Sequence, residues 1–182
     1  RAFAALELKL RGKFENVKMP LLIMHHCTVP FGGDLESVYS PLPKFAGGND
    51  PRKHLSMQLE ISEEAAKAFG DLDAACAERS GLPGIWVPLV KTHEGRFVIK
   101  TRINVEAQRP TAFRVGEGEL LTGWEHLGPM LAASGNLRGM SLQVAISPQY
   151  VWSVSGSRGL TLTVDQFVTQ ACVPVARIDH FA

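Results

Sequence analysis

Residues 96–105 read Arg-Phe-Val-Ile-Lys-Thr-Arg-Ile-Asn-Val, and their charges separate from their apolar side chains with a period of two. Alternate residues of an extended strand point to opposite faces. Phe97, Ile99, Ile103 and Val105 therefore share one side, while Arg96, Lys100 and Arg102 share the other with Val98. The same period recurs along the chain. Leu6, Leu8 and Leu10 alternate with Glu7, Lys9 and Arg11, and further strands are predicted over Val17–Thr28 and His54–Ile61. Met140, Leu142, Val144 and Ile146 alternate with Ser141, Gln143 and Ala145; Tyr150, Trp152 and Val154 continue the pattern, and Leu160, Leu162 and Val164 resume it after a turn over 155–159.

One stretch has the helical period instead. Ser62 is a good N-cap, Glu63 and Glu64 follow in the first turn, and apolar residues recur at 65, 68, 69, 72 and 76 before Gly81-Leu-Pro-Gly84 ends the element. Residues 86–90 are expected to pair with 96–105 as a hairpin around Gly95. Residues 30–52 contain Pro30, Pro41, Pro43, Pro51 and four glycines, which predicts a long loop. A segment broken by Gly116, Gly118, Gly123, Gly128 and Gly135 reads as a second irregular stretch. Short alternating strands with one or two helices predict a mainly β chain. The expected architecture is a closed or nearly closed barrel, with a helix between its early strands and long loops, forming one domain across 1–182.

Composition narrows the function classes. The chain has 182 residues, with 45% hydrophobic and 20% charged, the profile of an ordinary globular domain. No apolar run approaches the roughly 18 residues that a membrane-spanning helix needs. Three widely spaced cysteines, an odd number, suit a reduced intracellular compartment better than a disulfide framework. The chain starts at Arg1 and no signal peptide is visible, so a leader or tail beyond these residues stays open.

A net charge of +1 speaks against a nucleic-acid binder until its distribution is examined. Residues 86–114 hold six Lys/Arg against Glu94 and Glu106, a balance of +4. Residues 60–80 hold six acids against Lys67 and Arg79, a balance of −4. The total hides opposed blocks. On the wet face of the 96–105 strand every charge is cationic. Such a row can follow a phosphate backbone, or it can be a solvated face that Lys and Arg keep soluble.

The residues Gly139-Met-Ser-Leu-Gln-Val-Ala-Ile146, Tyr150-Val-Trp152, and Gly159-Leu-Thr-Leu-Thr-Val164 with Gln166 carry a family resemblance. They are similar to the C-terminal strands of replicative single-stranded DNA-binding proteins of phages and large DNA viruses. Lys53-His-Leu-Ser-Met-Gln-Leu59 with its helix looks like the early strand and helix of that family, and Trp86 with 96–102 looks like its central basic hairpin. The likeness covers roughly 53–170 and rests on layout and scattered residues. It implies an oligonucleotide/oligosaccharide-binding (OB) fold that coats single-stranded DNA without strict sequence preference, in replication, recombination or repair. By the same resemblance the protein is not an enzyme and works inside the cell at replication sites. Replication or recombination enzymes and a second copy of the chain are the further partners it allows. Phage members often end in an acidic tail used for partner binding and self-regulation; this chain ends Arg177-Ile-Asp-His-Phe-Ala182, so that function is in doubt here or the tail is missing.

Single-strand binding requires a cationic groove and aromatic rings on which bases stack. Arg96, Lys100 and Arg102 supply candidates for the groove, with Lys91, Arg109 and Arg114 along its flank and Lys53 beside it. Candidate stacking rings are Trp86, Phe113, Trp124, Tyr150 and Trp152. Tyr150 and Trp152 lie in register with Val154, so at least one of them is expected in the core. Trp124 sits among glycines, where a large ring is hard to bury. Phe113 lies near Arg109 and beside Arg114, although a lone loop Phe more often anchors its loop. On a strand only two members of His25-His26-Cys27 share a face, which makes no metal site, and no cofactor motif is visible. A structural or assembly β-barrel acting through a protein interface is the alternative, and a small-molecule carrier barrel is a second.

Overall fold

A computed structural model describes residues 7–14, 17–30, 54–105, 108–134 and 137–170. Among the described residues nine strands and two helices follow one another as β1 (Glu7–Phe14), β2 (Val17–Thr28), β3 (His54–Ile61), α1 (Glu63–Arg79), β4 (Ile85–Val87), β5 (Val90–His93), β6 (Arg96–Asn104), β7 (Ala112–Val115), α2 (Trp124–Ala133), β8 (Ser141–Val154) and β9 (Ser157–Thr169). The strands join in the order β4-β9-β8-β2-β3-β6-β5, and β9 also pairs with β6. That additional pairing closes a ring of five strands, β2-β3-β6-β9-β8. The ring is irregular: β2 and β3 meet through the single register pair Thr28 and Glu60. The alternation predicts a closed or nearly closed barrel, and the strands do form a ring, although not a regular barrel.

The ring encloses the apolar face of each strand. Leu55, Met57, Leu59 and Ile61 of β3 are buried beside Ile99 and Ile103 of β6. Thr101, between those two isoleucines in the same row, is also buried and satisfies its hydroxyl by donating to the Met57 carbonyl at 2.8 Å. Leu142, Val144 and Ile146 of β8 face Val164 and Phe167 of β9 in the same interior. α1 begins where the sequence places it, with the Ser62 hydroxyl accepting from the Ala65 amide at 3.1 Å.

Two β-bulges reverse the sidedness of the long hairpin. On β8, Pro148 pairs with Leu162 and Tyr150 pairs with Thr161, leaving Gln149 as an extra residue. Before it the even-numbered residues from Leu142 to Pro148 are buried; after it Tyr150 and Val154 are exposed and Val151 turns partly inward. On β9, Asp165 is the extra residue, and the buried set changes from Leu160, Leu162 and Val164 to Phe167 and Thr169. A one-residue offset exchanges the faces of everything beyond it.

Three expectations are corrected. The expected strand over 86–90 is two strands, because Pro88 has no N–H for a ladder. β4 lies parallel to β9, and β5 alone forms the hairpin with β6. The glycine-broken segment follows a short strand, β7, and contains α2, whose Leu127, Met130 and Leu131 are buried at helical spacing. The long loop of 30–52 lies outside the described residues, except for Pro30.

Candidate nucleic-acid interface

β6 and β9 run parallel and touch through Arg102–Thr163 and Ile103–Val164. Toward their N-terminal ends they part. β9 takes β4 as its neighbour there, β6 takes β5, and Pro88-Leu89 bridges the gap between the two. The fork opens a groove of about 890 Å³. One wall carries Lys91 from β5 with Lys100 and Arg102 from β6, and the other carries Tyr150 and Trp152 from β8 with Thr161 from β9. His54, Ser56 and Gln58 of β3 continue the cationic wall, Ser56 in register with Arg102 and Gln58 with Lys100. None of the described residues lining it is acidic.

Pairing dictates this arrangement. The alternation that buries Ile99 and Ile103 forces Lys100 and Arg102 outward, and Val98, nearly buried between them and Lys91, forms part of the floor. Arg102 also reaches across the groove. Its Nη1 donates to the Tyr150 hydroxyl at 3.0 Å, and its guanidinium carbon lies 5.9 Å from the centre of that ring. Cation and ring therefore hold each other in place. Trp152 pairs with Gly159, and a Cβ built on that glycine would lie 2.6 Å from the indole Cζ2. The absence of a side chain at 159 lets the indole lie across β9.

The remaining candidates lie elsewhere. Arg96 does not line the groove and sits 3.5 Å from the Glu60 carboxylate. Arg109 is exposed beyond the end of β6, and Arg114 lies on β7, which pairs with 166–169 of β9, past the closed end of the fork. Lys53 lies outside the described residues, next to His54 of the groove. Phe113 is corrected outright: it is 1% exposed, its ring stacked 5.6 Å from that of Phe167. No base can reach it. Trp124 starts α2 instead of sitting in a loop, half-buried against the core with its ring over Gly128. The expectation that Tyr150 or Trp152 lies in the core also fails, because the Gln149 bulge turns that row outward: Tyr150 is 44% exposed and Val154 64%.

Trp86 has a structural role. Its Nε1 donates to one Asp73 oxygen at 2.9 Å while the Leu89 amide donates to the other at 2.6 Å, so α1 clamps both ends of the bridge between β4 and β5. Burial pushes the Asp73 carboxyl above its usual range, and those two donors partly offset the rise. Arg158 lies over the Trp86 ring at 5.6 Å. The acidic block of the sequence is α1, and none of its exposed carboxylates at Glu63, Glu64, Asp71 and Glu78 lines the groove. His54, His93, Ser56 and Gln58 are groove residues that the sequence did not single out; the polar positions of β3, opposite Leu55, Met57 and Leu59, were the signal available. Among the described residues no three His, Cys, Asp or Glu cluster as a metal site, and no helix is long and apolar enough to cross a membrane.

No family model matches the sequence, and no curated protein matches it. Solved structures do match the fold. The single-stranded DNA-binding protein of bacteriophage Enc34, in a C-terminally truncated form, aligns with TM-score 0.53 and 15% identity over 92% of this chain and 96% of its own. The same phage protein aligns with TM-score 0.50 and 13% identity over 95% of each chain. A third structure, of that protein in complex with single-stranded DNA, gives TM-score 0.50 and 13% identity over 92% of this chain and 97% of that one. At such identities the likeness is one of fold, and it spans nearly the whole of both chains: the chain has the OB-like architecture of a phage single-stranded DNA-binding protein.

Proposed function

We propose that the protein binds single-stranded DNA in the groove between β6 and β9, with little sequence preference, in replication, recombination or repair. One observation carries this conclusion. Lys91, Lys100 and Arg102 face Tyr150 and Trp152 across a groove in which none of the described lining residues is acidic, so phosphates and unpaired bases each find a wall suited to them. The Enc34 protein has the same fold and a structure with single-stranded DNA, which supports the assignment. Binding is the whole activity proposed, with no chemical step. We place the protein inside the cell at sites of DNA replication, and take 1–182 as one binding domain. Replication or recombination enzymes and further copies of the chain are its proposed protein partners. The row Ile85–Ser157–Val154 at the hairpin tip leaves Ile85 78% and Val154 64% exposed, which favours a protein contact as a second reading.

Salt separates the two. Each phosphate neutralised on a single strand contributes about −0.7 to the slope of log K against log salt, so three groove cations give about −2. Titration with fluorescent oligo-dT at two salt concentrations is expected to show that slope, with quenching of tryptophan emission and weaker binding of duplex. A salt-indifferent affinity, or none, removes the nucleic-acid assignment. Parallel titration with oligo-rU measures the preference for DNA over RNA.

A further inference from the structure

Gly159 occupies the middle of one row across three strands, with Val87 of β4 on one side and Trp152 of β8 on the other. Paired residues of neighbouring strands project from the same face. Val87 and Trp152 both line the groove, and Gly159 between them is buried. What covers it is the indole. A Cβ at 159 would lie 2.6 Å from Cζ2 and 2.9 Å from Cε2 of Trp152, closer than such atoms approach one another, and 3.1 Å from its Nε1. Gly159 does not have the left-handed φ that would itself demand glycine. The requirement for a missing side chain therefore comes from the ring and not from the backbone.

We propose that Gly159 is a positioning residue of the groove: it seats the Trp152 indole across β9 and so leaves a single side of that ring to receive one unpaired base. The proposal rests on the single-strand reading above. The side of the ring turned to β9 is occupied by protein, so a base cannot be sandwiched there and can stack only from the groove. Arg102, which fixes Tyr150 one row away, stands across the groove to hold the phosphate chain of the same nucleotides. Alanine at 159 would keep the strand, where it is better tolerated than glycine, while forcing the indole out of its seat.

The test compares Gly159→Ala, Trp152→Ala and the double variant with the wild type. Oligo-dT affinity is expected to fall roughly tenfold in each single variant, the range of one lost stacked base, with an unchanged salt slope. The double variant is expected to bind no more weakly than Trp152→Ala. Ligand-free Gly159→Ala should show greater acrylamide quenching of tryptophan, a difference that vanishes in the Trp152→Ala background. This second readout needs no DNA. If wild type fails to bind oligo-dT, the single-strand reading falls while the quenching still judges the seat. Wild-type affinity and quenching in Gly159→Ala, or additive losses in the double variant, overturn the proposal. Should Gly159→Ala fail to fold, recovery of folding in the double variant supports the seat, and no recovery overturns it.

Discussion

Lys100→Ala/Arg102→Ala is expected to bind every single strand about one to two orders of magnitude more weakly at low salt, with a salt slope flatter by roughly one to two units. The loss should be equal across sequences, because phosphate contacts carry no base information. Folding should survive. Lys100 is exposed, and the buried residues of β6 are Ile99, Thr101 and Ile103 on the other side, with Val98 beneath the groove. Arg102 has a second effect, since its removal also releases the Tyr150 hydroxyl and the ring beneath the guanidinium. Tyr150→Phe separates the two contributions by removing the hydroxyl and keeping both ring and charge. Its slope should match the wild type and its affinity should fall modestly. A slope unchanged in the double variant would sink the cationic wall as the phosphate track.

Phe113→Ala is expected to do the reverse. Phe113 is fully enclosed, stacked on Phe167 with planes 18° apart and paired with it in the β7–β9 register. Its backbone also exchanges two hydrogen bonds of 2.8 Å with Leu121. Truncation leaves a cavity the size of a phenyl ring and should cost about 3–5 kcal/mol of stability. For a chain of this length that corresponds to a melting temperature lower by on the order of 10 °C. Below that transition, affinity for oligo-dT and the salt slope should equal those of the wild type. Thermal melts followed by circular dichroism, with titrations at low temperature, check both halves. A variant that melts normally and binds weakly would return Phe113 to the ligand site.

Periodicity made the backbone of the fold legible where each strand has one dry face. β2 and β3 fall at the predicted residues, and the Ser62 cap marks the start of α1. The cationic row of β6 was legible for the same reason, because Lys100 and Arg102 alternate with buried neighbours. Three things were hidden. The parallel pairing of β4 with β9 joins residues about seventy positions apart, and a three-residue strand has no period to detect. α2 contains Gly128 and Pro129, which read as loop residues, although Gly128 accommodates the Trp124 ring. The side on which the aromatic wall lies was hidden by counting in twos through Gln149, although the sequence offers both Tyr150 and Trp152 as candidate rings. Tyr150 and Trp152 continue the parity of Leu142, Val144 and Ile146, and parity alone assigns them to the core.

Gln149 adds one residue of length, its side-chain oxygen accepting from the Thr163 hydroxyl at 2.8 Å, and it divides β8 into two stretches that answer to different demands. The even-numbered residues from Leu142 to Pro148 are chosen by volume, since the interior is closed around them; Tyr150 and Trp152 are open to whatever occupies the groove. The two sets can diverge independently because the bulge insulates one from the other. A change of chain length at this point therefore disturbs the fold more than a change of side chain. A substitution at 149 preserves the phase of both stretches, whereas an insertion or deletion there re-phases every residue to the hairpin tip and exchanges the binding face for the interior one.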